Sequence, residues 1–524
     1  MIRSLTIGLL VIAPPGAMAA TSWLPPSAIA PPARGAGPPV VAGNDDGRAI
    51  AAWATRTGVM ASVRTPGGPW YSPRRVPGSG RGATEVQVAM TGSGTAAVTW
   101  VQAGRIRTSI RPAGRRFLPA AVLSPRSRVA ASPRVVFGRG CAPLVAWASE
   151  DSRGRSPSAV SAACGRADGR FARATGVSPQ GESASSPAVA GGRTGVIVLW
   201  RQDDGATYRV RSATRGPSGP FSPPDTVSPV GTGVVVDSSV DLAADGTAMA
   251  AWSLTRGGEV VAQAATRPVT GGWGPPIDLS RPAAQVRGTR MAMDAGGNAI
   301  ATWSRAGVIQ MARRPRGEAW SPPRDLSDPG LTAGAPFLAM SGGGAAVVTW
   351  PASTGGAALV QGALRPVGGE FTTAATISDA RRPSIAPQGA IGDDGVAPVA
   401  WQWTDPVDDP LIAPSGVMGA TGLAGSEAPG PATVVDLRAR PARVRPGQAI
   451  RITFGLSSPS RVRITARRAP RGPVAGAISL SGADGANQVV LSGGLGGASL
   501  GRGRWVITAT PRGGTARSLS LVVV

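Results

Sequence analysis

Eight tryptophans recur at almost equal intervals through the first 401 residues, and this spacing constrains the fold more than any other feature of the chain. Successive intervals are 47, 47, 53, 52, 51, 47 and 51 residues. Self-similarity at about 50 residues indicates a repeat architecture, in which each unit buries its apolar face against a neighbour. The eight residues are Trp53, Trp100, Trp147, Trp200, Trp252, Trp303, Trp350 and Trp401.

The residues before each Trp have the pattern of a strand that is covered on both faces. In the first repeat, Ala49-Ile50-Ala51-Ala52 leads into the Trp, and a Gly lies six positions before it. Positions two apart share one face of a strand, and the positions between them are also small or apolar. We therefore predict a buried strand that ends at each Trp. The Gly recurs in six repeats, as Gly47, Gly94, Gly246, Gly297, Gly344 and Gly395.

A second marker lies 11 or 15 residues after the Trp, where an Arg precedes an aromatic residue by six positions. Ser-Pro or Pro-Pro pairs follow in four of these repeats, and proline cannot donate to a sheet ladder, so this part of the repeat is predicted to be an edge strand. Since the arginines occupy one turn position in six of the eight units, we interpret them as structural. They are Arg64, Arg111, Arg215, Arg267, Arg314 and Arg365.

Each unit is thus predicted to contain four strands, and stacked four-stranded units of this length are what a β-propeller requires. The predicted fold class is all-β, with a seven- or eight-bladed propeller over residues 37–437. The count is eight if residues 416–420 and 432–435 supply the last strands, and seven if they do not. The variable loops between second and third strands are predicted to carry a ligand over the channel.

The repeat resembles the secreted bacterial propellers of the sialidase-like, BNR-repeat type over residues 37–437. The Asp-box of true sialidases, Ser-x-Asp-x-Gly-x-Thr-Trp, is absent as such, because Asp245-Gly246-Thr247 precedes Trp252 at the wrong spacing. The resemblance implies the fold. Sialidases of this fold use a Tyr nucleophile and three arginines that bind a substrate carboxylate, so the resemblance directs attention to those residue types.

The composition supplies little catalytic chemistry. All 54 basic residues are Arg, with no Lys and no His, which excludes imidazole bases, His metal ligands and lysine Schiff bases. Tyr71 and Tyr208 are the only tyrosines, Glu occurs seven times, and the repeat pattern accounts for both tyrosines. We predict no catalytic residue and no cofactor, and we favour a non-enzymatic protein. The alternative is an extracellular sialidase-like glycoside hydrolase.

Four acidic pairs offer candidate catalytic or calcium-binding groups. Two of them precede Gly47 and Gly395, and Asp-Gly is ordinary hairpin chemistry. No stretch matches a calcium-binding Asp-x-Asp-x-Asp-Gly loop, so no metal site is predicted. The pairs are Asp45-Asp46, Asp203-Asp204, Asp393-Asp394 and Asp408-Asp409.

The N-terminus predicts export. Residues 1–19 contain Arg3, an apolar run over 5–12 and Ala17-Met18-Ala19, as in a signal peptide cleaved before Ala20. No later apolar stretch of about 20 residues predicts a membrane span, and the protein is expected to be secreted or associated with the cell surface. The only cysteines, Cys141 and Cys164, are equidistant from the hairpin midpoint between residues 152 and 153, so a disulfide is predicted.

After residue 437 the repeat stops. Residues 438–524 contain short alternating segments separated by Pro- and Gly-rich turns, which predicts an immunoglobulin-like β-sandwich without the usual Cys pair. Residues 421–431 are predicted to form a linker. The alternating segments are residues 449–454, 461–465 and 504–509.

The formal net charge of +25 favours anionic partners. Arginine is spread along the chain without long runs, and no nucleic-acid-binding motif is present, so no specific nucleic-acid partner is predicted. The sequence thus favours a secreted, monomeric binding or surface-interaction protein whose ligand is an extracellular glycan or protein.

Overall fold

The computed structural model describes residues 22–524 except 152–156, 204–207, 229–232, 329, 356–357, 405–413, 425–433, 457–459, 471, 483–484, 493, 496–497 and 512–515. All regular structure in these residues is β-strand, which confirms the all-β class. The chain divides into two compact units, Thr21–Gly425 and Ser426–Val524. The expected signal peptide lies outside the described residues.

The first unit contains eight antiparallel sheets, numbered here in chain order, and each corresponds to one Trp repeat. Sheets 1 to 6 have four strands in sequential order. Their first strands are Val40–Gly43, Ala83–Met90, Arg128–Gly138, Ser183–Gly192, Val234–Leu242 and Val286–Met293. The second strands are Ala49–Thr55, Ala96–Gln102, Cys141–Asp151, Gly195–Asp203, Ala248–Arg256 and Ala299–Arg305. The third strands are Gly58–Arg64, Arg105–Arg111, Ala159–Cys164, Tyr208–Arg215, Glu259–Arg267 and Val308–Arg314. The short fourth strands are Arg74–Arg75, Ala121–Val122, Thr175–Gly176, Asp225–Thr226, Ile277–Asp278 and Arg324–Asp325.

Sheets 7 and 8 depart from this scheme. In sheet 7 the first strand is divided into Thr332–Ala333 and Phe337–Met340, followed by Ala346–Ser353, Ala358–Arg365 and Ala375–Thr376. Sheet 8 contains Ser384–Gly389, Val396–Thr404 and Pro414–Leu423, and its outer strands come from the N-terminus as Ser22–Trp23 and Ser27–Arg34.

The origin of the outer strands in sheet 8 differs from the sequence expectation. Residues 416–420 lie in a strand as expected, but Val434 and Val435 pair within the second unit instead of completing sheet 8, and residues 432–433 lie outside the described residues. Both N-terminal strands pair with Pro414–Leu423, so this unit begins before residue 37 and ends before 437. The same strand includes residues 421–423, which were expected in a linker. The physical reason is that Pro414–Leu423 has a free edge, which the N-terminal strands satisfy.

Adjacent sheets are joined by eight apolar clusters, each shared by two neighbours, and the eighth cluster joins sheet 8 to sheet 1. Each repeat Trp lies in the cluster that its own sheet forms with the preceding one, and all eight are at most 2% exposed. The first strands of consecutive sheets contact each other around the whole set. They therefore line a central channel.

Glutamine side chains satisfy the indole N–H of several buried tryptophans. Trp252 Nε1 donates to Gln263 Oε1 at 3.1 Å, and this Gln is its direct cross-strand partner. In sheets 2 and 4 the partner position holds Arg, and the Gln lies two residues after the Trp, as in Trp200 to Gln202 at 2.8 Å. Burying a polar indole without a partner costs free energy, so each Gln stabilises its sheet.

The disulfide between Cys141 and Cys164 is present, with a Cα–Cα distance of 4.8 Å, as the sequence predicted. The register differs from the simple hairpin symmetry, because Cys164 pairs with Leu144. Beyond that pair, the Ala142 N–H donates to Gly165 O at 3.0 Å, which places Cys141 beside the end of the third strand.

The second unit contains a three-stranded and a five-stranded sheet whose buried residues form one shared core. The predicted alternating segments coincide with strands in it. The first sheet consists of Val434–Arg440, Ala449–Leu456 and Gly485–Ser492. The second consists, in spatial order, of Arg443–Val444, Arg517–Val523, Gly503–Pro511, Ser460–Arg468 and Val474–Gly482. Two short strands, Gly494–Leu495 and Ala498–Ser499, pair with each other between Gly485–Ser492 and Gly503–Pro511 in the sequence.

Candidate functional site in the central channel

The first strands carry a β-bulge near their start in most of the sheets. At each bulge the pairing register shifts, and one residue adopts a positive φ near +50° or, for glycine, +65°. A bulge bends the strand and redirects its side chains, and it is common beside functional sites. The residues concerned are Glu85, Ser132, Ser186, Asp237, Gly288 and Ala386.

Two of these bulge residues are acidic, and each is bonded to the next sheet. Glu85 Oε2 accepts the Ser132 backbone N–H at 2.6 Å, and Asp237 Oδ2 accepts the Gly288 N–H at 2.7 Å. A carboxylate that accepts a backbone N–H in this way forms a strong charge-assisted bond. These two carboxylates therefore join neighbouring first strands.

One register position recurs in the first strands of all eight sheets and defines what is called the channel layer here, of which Val40 and Ala188 pack into the apolar clusters between sheets. Its members pair with the residue immediately before each repeat Trp. This channel layer combines two arginines with uncharged side chains and contains no acidic residue. It consists of Val40, Gln87, Arg134, Ala188, Ser239, Arg290, Phe337 and Gln388.

The two arginines of the channel layer come from sheets 3 and 6. Burial lowers the pKa of Arg134, the positive charge of Arg290 lowers that pKa further, and Glu85 opposes both effects. Arg134 lies in sheet 3 and Arg290 in sheet 6, and the charge of Arg290 acts on Arg134 across the space that the first strands enclose. Each donates to a backbone carbonyl of its own strand, Pro133 O at 2.9 Å and Thr289 O at 3.2 Å. Neither forms an ion pair with any described carboxylate.

Asp241 lies two residues beyond the channel layer in sheet 5. Its Oδ1 accepts the Leu242 N–H and its Oδ2 accepts the Met293 N–H of sheet 6, both at 2.8 Å. Burial raises the pKa of Asp241 to about 6, although the two hydrogen bonds act in the opposite direction. This carboxyl is thus both a joint between sheets and a group that titrates near neutral pH.

The channel layer also contains an unsatisfied hydroxyl. Ser239 Oγ is buried and has no hydrogen-bond partner among the described atoms. Ser239 belongs to sheet 5, next to the sheet that carries Arg290. A buried polar atom without a partner is costly, and a bound water or ligand atom would satisfy it.

The opposite end of the channel is crossed by the turns between first and second strands. Asp45 Oδ1 of sheet 1 accepts the Gly342 N–H of sheet 7 at 3.1 Å, and Asp393 Oδ1 of sheet 8 accepts the Gly343 N–H at 2.6 Å. The Asp393 N–H donates to Asp45 O at 3.2 Å. These acidic pairs therefore hold turns together. Asp203 ends a strand, while Asp204, Asp408 and Asp409 lie outside the described residues.

The structure does not bring the two tyrosines into the channel layer. Tyr71 is half-exposed in the connection between third and fourth strands of sheet 1, where its hydroxyl lies 3.5 Å from Thr65 Oγ1. Tyr208 begins the third strand of sheet 4, and the Arg201 guanidinium lies 4.7 Å from its ring centroid.

Several periodic arginines contact protein atoms in the turns. Arg64 Nε donates to Gly68 O at 2.7 Å, and Arg365 Nη1 donates to Gly344 O at 2.5 Å. Arg215 Nη1 reaches the preceding sheet, at 3.3 Å from Gly140 O. Burial lowers the pKa of Arg64 and Arg365. The sequence identified these arginines but gave no weight to Arg134 and Arg290, which lie outside the periodic position.

Among the residues that the structure describes, no group of three or more Asp, Glu or Cys side chains is arranged to hold a metal ion. No helix in the same residues is long and apolar enough to cross a membrane.

Comparison with known proteins identifies no family. No protein-family model matches the chain, and no curated protein matches it in sequence. The resemblance to BNR-repeat propellers therefore stays a prediction.

Solved structures give distant likenesses. A fungal alcohol oxidase of the AA5 family in complex with copper has 10% identity and a TM-score of 0.42, over 96% of this chain and 99% of its own. A streptogramin B lyase has 10% identity and a TM-score of 0.38, over 75% and 96%. A Penicillium chrysogenum α-L-arabinanase has 10% identity and a TM-score of 0.35, over 57% and 100%. All three TM-scores are below 0.5, so the site geometry of this chain is the basis for its functional assignment.

Proposed function

We propose that the chain is a secreted, non-enzymatic binding protein. Its scaffold is an eight-bladed β-propeller followed by an immunoglobulin-like β-sandwich, and its ligand is an extracellular glycan or protein that presents an anionic group to the channel. The observation that carries this proposal is the pairing of charges. Glu85 and Asp237 each accept a backbone N–H of the next sheet, whereas Arg134 and Arg290 of the channel layer form no ion pair with a described carboxylate.

The arginines supply the recognition chemistry. A guanidinium presents several N–H donors in a planar array and remains charged after partial burial, so it suits carboxylate or phosphate oxygens. Gln87 and Gln388 place amide donors and acceptors in the same layer, and Phe337 adds an apolar surface. Such a lining of few polar groups and an apolar wall is typical of ligand sites.

A glycoside hydrolase remains the second candidate because of one residue. Asp241 has a pKa raised to about 6, as a general acid requires. Hydrolysis also needs a second carboxylate or a nucleophile that faces the acid. Both oxygens of Asp241 accept backbone N–H groups, and one oxygen each of Glu85 and Asp237 does so. Both tyrosines lie outside the channel layer. This arrangement favours binding over catalysis.

The proposal is tested by applying the purified chain to a glycan array at low and high salt, while released sugar is measured in parallel. The test variant is Arg134→Gln/Arg290→Gln. The matched control is Arg115→Gln/Arg116→Gln, which removes the same charge from exposed turn residues of sheet 2. We expect retention on an acidic glycan class that persists at high salt, is lost in the test variant and is kept in the control.

Two outcomes would contradict the proposal. Released sugar that disappears in an Asp241→Asn variant would establish the hydrolase instead. Retention that both double variants reduce equally, and that vanishes at high salt, would show only the overall positive charge.

A further inference from the structure

Positive charge is concentrated in the second unit. Residues 438–524 contain 14 arginines and a single acidic residue, Asp484, a formal net charge of +13. The preceding 437 residues contain 40 arginines and 28 acidic residues, a net charge of +12. One sixth of the chain thus carries half of its net charge.

The strand pattern places part of this charge on one face of the five-stranded sheet. Along Ser460–Arg468, the side chains of Val462, Ile464 and Ala466 are buried in the core, while Arg463 and Arg467 are exposed. Side chains alternate between the faces of a strand, so both arginines project from the outer face.

The neighbouring strands extend the same face. Arg504 on Gly503–Pro511 is exposed, while the next residue, Trp505, is buried. Arg504 and Arg443 both pair with Val522, from opposite sides, so these three residues form one row across the sheet. The outer arginine face is defined here as Arg443, Arg463, Arg467 and Arg504.

Hydroxyl groups lie between these cations. Thr508 pairs with Thr465 and with Ser518, and its hydroxyl lies 2.8 Å from the Ser518 hydroxyl. Thr510 pairs with Arg463. No ion pair connects Arg463, Arg467 or Arg504 to a described carboxylate. The face therefore presents hydroxyls together with cations that form no ion pair with a described carboxylate.

The side chains that are absent from this face restrict its partner. Phe454 and Trp505 are the only aromatic residues of 438–524, and they are 2% and 6% exposed. Binding of single-stranded nucleic acid relies on bases stacked on exposed aromatic rings, which this face does not offer. Insertion into a lipid surface relies on large apolar or aromatic side chains beside the cations. The apolar residues paired with the arginines of this face are the smaller Val474, Val506 and Val522. Repeated carboxylates with neighbouring hydroxyls match the guanidinium and hydroxyl groups that are present.

We propose that the outer arginine face is a binding surface for a carboxylated polysaccharide. The partner is a linear acidic glycan whose successive uronate groups meet Arg463, Arg467 and Arg504. Arg463 and Arg467 are four residues apart on one strand, about 13 Å, so a single monosaccharide cannot engage both and a polymer is required. This surface is independent of the channel and its arginines.

The test measures binding of the full chain to polygalacturonate, with dextran as the neutral polymer and double-stranded DNA as the competing polyanion. The variant Arg463→Gln/Arg467→Gln/Arg504→Gln removes three charges of the face. The control Arg445→Gln/Arg502→Gln/Arg517→Gln removes three exposed charges of the same unit elsewhere, since Arg517 pairs with the buried Ala509 and the other two lie between strands. The variant Arg463→Lys/Arg467→Lys/Arg504→Lys keeps the charge.

We expect the face variant to weaken binding to polygalacturonate at least about tenfold and to flatten its salt dependence. The control triple should weaken binding less than about threefold, and the affinity of the Lys triple should fall between that of the unaltered chain and that of the Gln triple.

If the Gln triple fails to fold, the Lys triple and the control still distinguish an effect of the outer arginine face from an effect of net charge. Equal losses in the Gln triple and the control, equal retention on dextran, or tighter binding to DNA than to polygalacturonate would each overturn the proposal. Loss of glycan-array binding in Arg134→Gln/Arg290→Gln leaves this prediction unchanged, so the two proposals fail separately.

Discussion

The eight-sheet unit and the C-terminal unit use arginine in different ways. In the sheets, Arg64, Arg215 and Arg365 donate to turn carbonyls, and Glu85 and Asp237 connect consecutive first strands. In the C-terminal unit, the arginines of the outer face have no described acidic partner. Arginine thus stabilises turns in the first unit, where Arg134 and Arg290 of the channel layer are exceptions, and is left available for a partner on the outer arginine face of the second.

The difference follows from how each unit buries its surface. A sheet of the first unit is covered on both faces by its neighbours, so a charged side chain that lies between two sheets needs a partner within the protein. A sheet of the second unit contributes one face to a core and leaves the other face to solvent. An unpaired charge on that solvent face stays hydrated and therefore costs little folding free energy. The comparison therefore predicts that core changes act separately on each unit.

The largest expected effect is loss of a repeat Trp. Trp252 is fully buried in the cluster between sheets 4 and 5 and donates to Gln263, so Trp252→Ala should lower the stability of the first unit by about 3 to 5 kcal/mol. Hydrogen exchange followed by mass spectrometry reports the loss for peptides of each unit. Peptides of 438–524 should not change, and Val269→Ala, at a half-exposed site, is the control. Equal loss of protection in both units would show that they unfold together.

Removal of the disulfide should have the next largest effect. Cys141 and Cys164 are separated by 23 positions. Opening a loop of this size raises the conformational entropy of the unfolded chain and lowers the free energy of unfolding by about 3 kcal/mol in the entropy model. Urea unfolding of Cys141→Ala/Cys164→Ala measures the loss, which should affect the first unit alone. Reductant should reproduce it in the unaltered chain and leave the double variant unchanged. A reductant-sensitive transition in the C-terminal unit would contradict the assignment.

The smallest effect is a pH dependence confined to the first unit. The pKa of Asp241 is raised by burial from 3.8 to about 6, so the folded state holds its proton more tightly than the unfolded chain. The resulting stabilisation is complete below about pH 4 and is lost as pH rises through 6. Because Asp241 retains contact with channel solvent, we expect about 1 to 2 kcal/mol.

Urea unfolding at pH 4, 5, 6 and 7 tests this sign. The free energy of unfolding of the unaltered chain minus that of Asp241→Asn should fall as pH rises. Asp46→Asn, in an exposed turn, should follow the unaltered chain at every pH. A difference that grows with pH would mean that Asp241 is stabilised as the charged form.

The sequence predicted the repeat, the buried strand and the disulfide because each leaves a local pattern. A Trp that closes an apolar run repeats in register, and its neighbours alternate with the period of a strand. The fourth strand of sheet 8 left no such pattern. Residues 22–34 are rich in Pro and Ala, and their role is set by the free edge of Pro414–Leu423 rather than by their own composition.

The candidate site was less visible in the sequence for a related reason. Arg134 and Arg290 are not adjacent in sequence and do not share the periodic turn position. They occupy the same register position because bulges at Ser132 and Gly288 shift the pairing of both first strands. A comparison of the residue paired with the position before each Trp would have aligned them. Their shared orientation toward the channel depends on the closed arrangement of sheets.

The pairing of the N-terminal strands with the last sheet has a consequence for how the chain acquires its structure. Gln402 Nε2 and Ser415 Oγ both donate to Ala36 O, across 366 and 379 positions of sequence. During synthesis from the N-terminus, the first two strands therefore have no partner until Pro414–Leu423 has been made. Contacts between such distant positions form late, since closure of the intervening loop is costly. A chain interrupted anywhere before residue 414 leaves its first strands without their partner, and synthesis of Pro414–Leu423 becomes the event that allows them to pair.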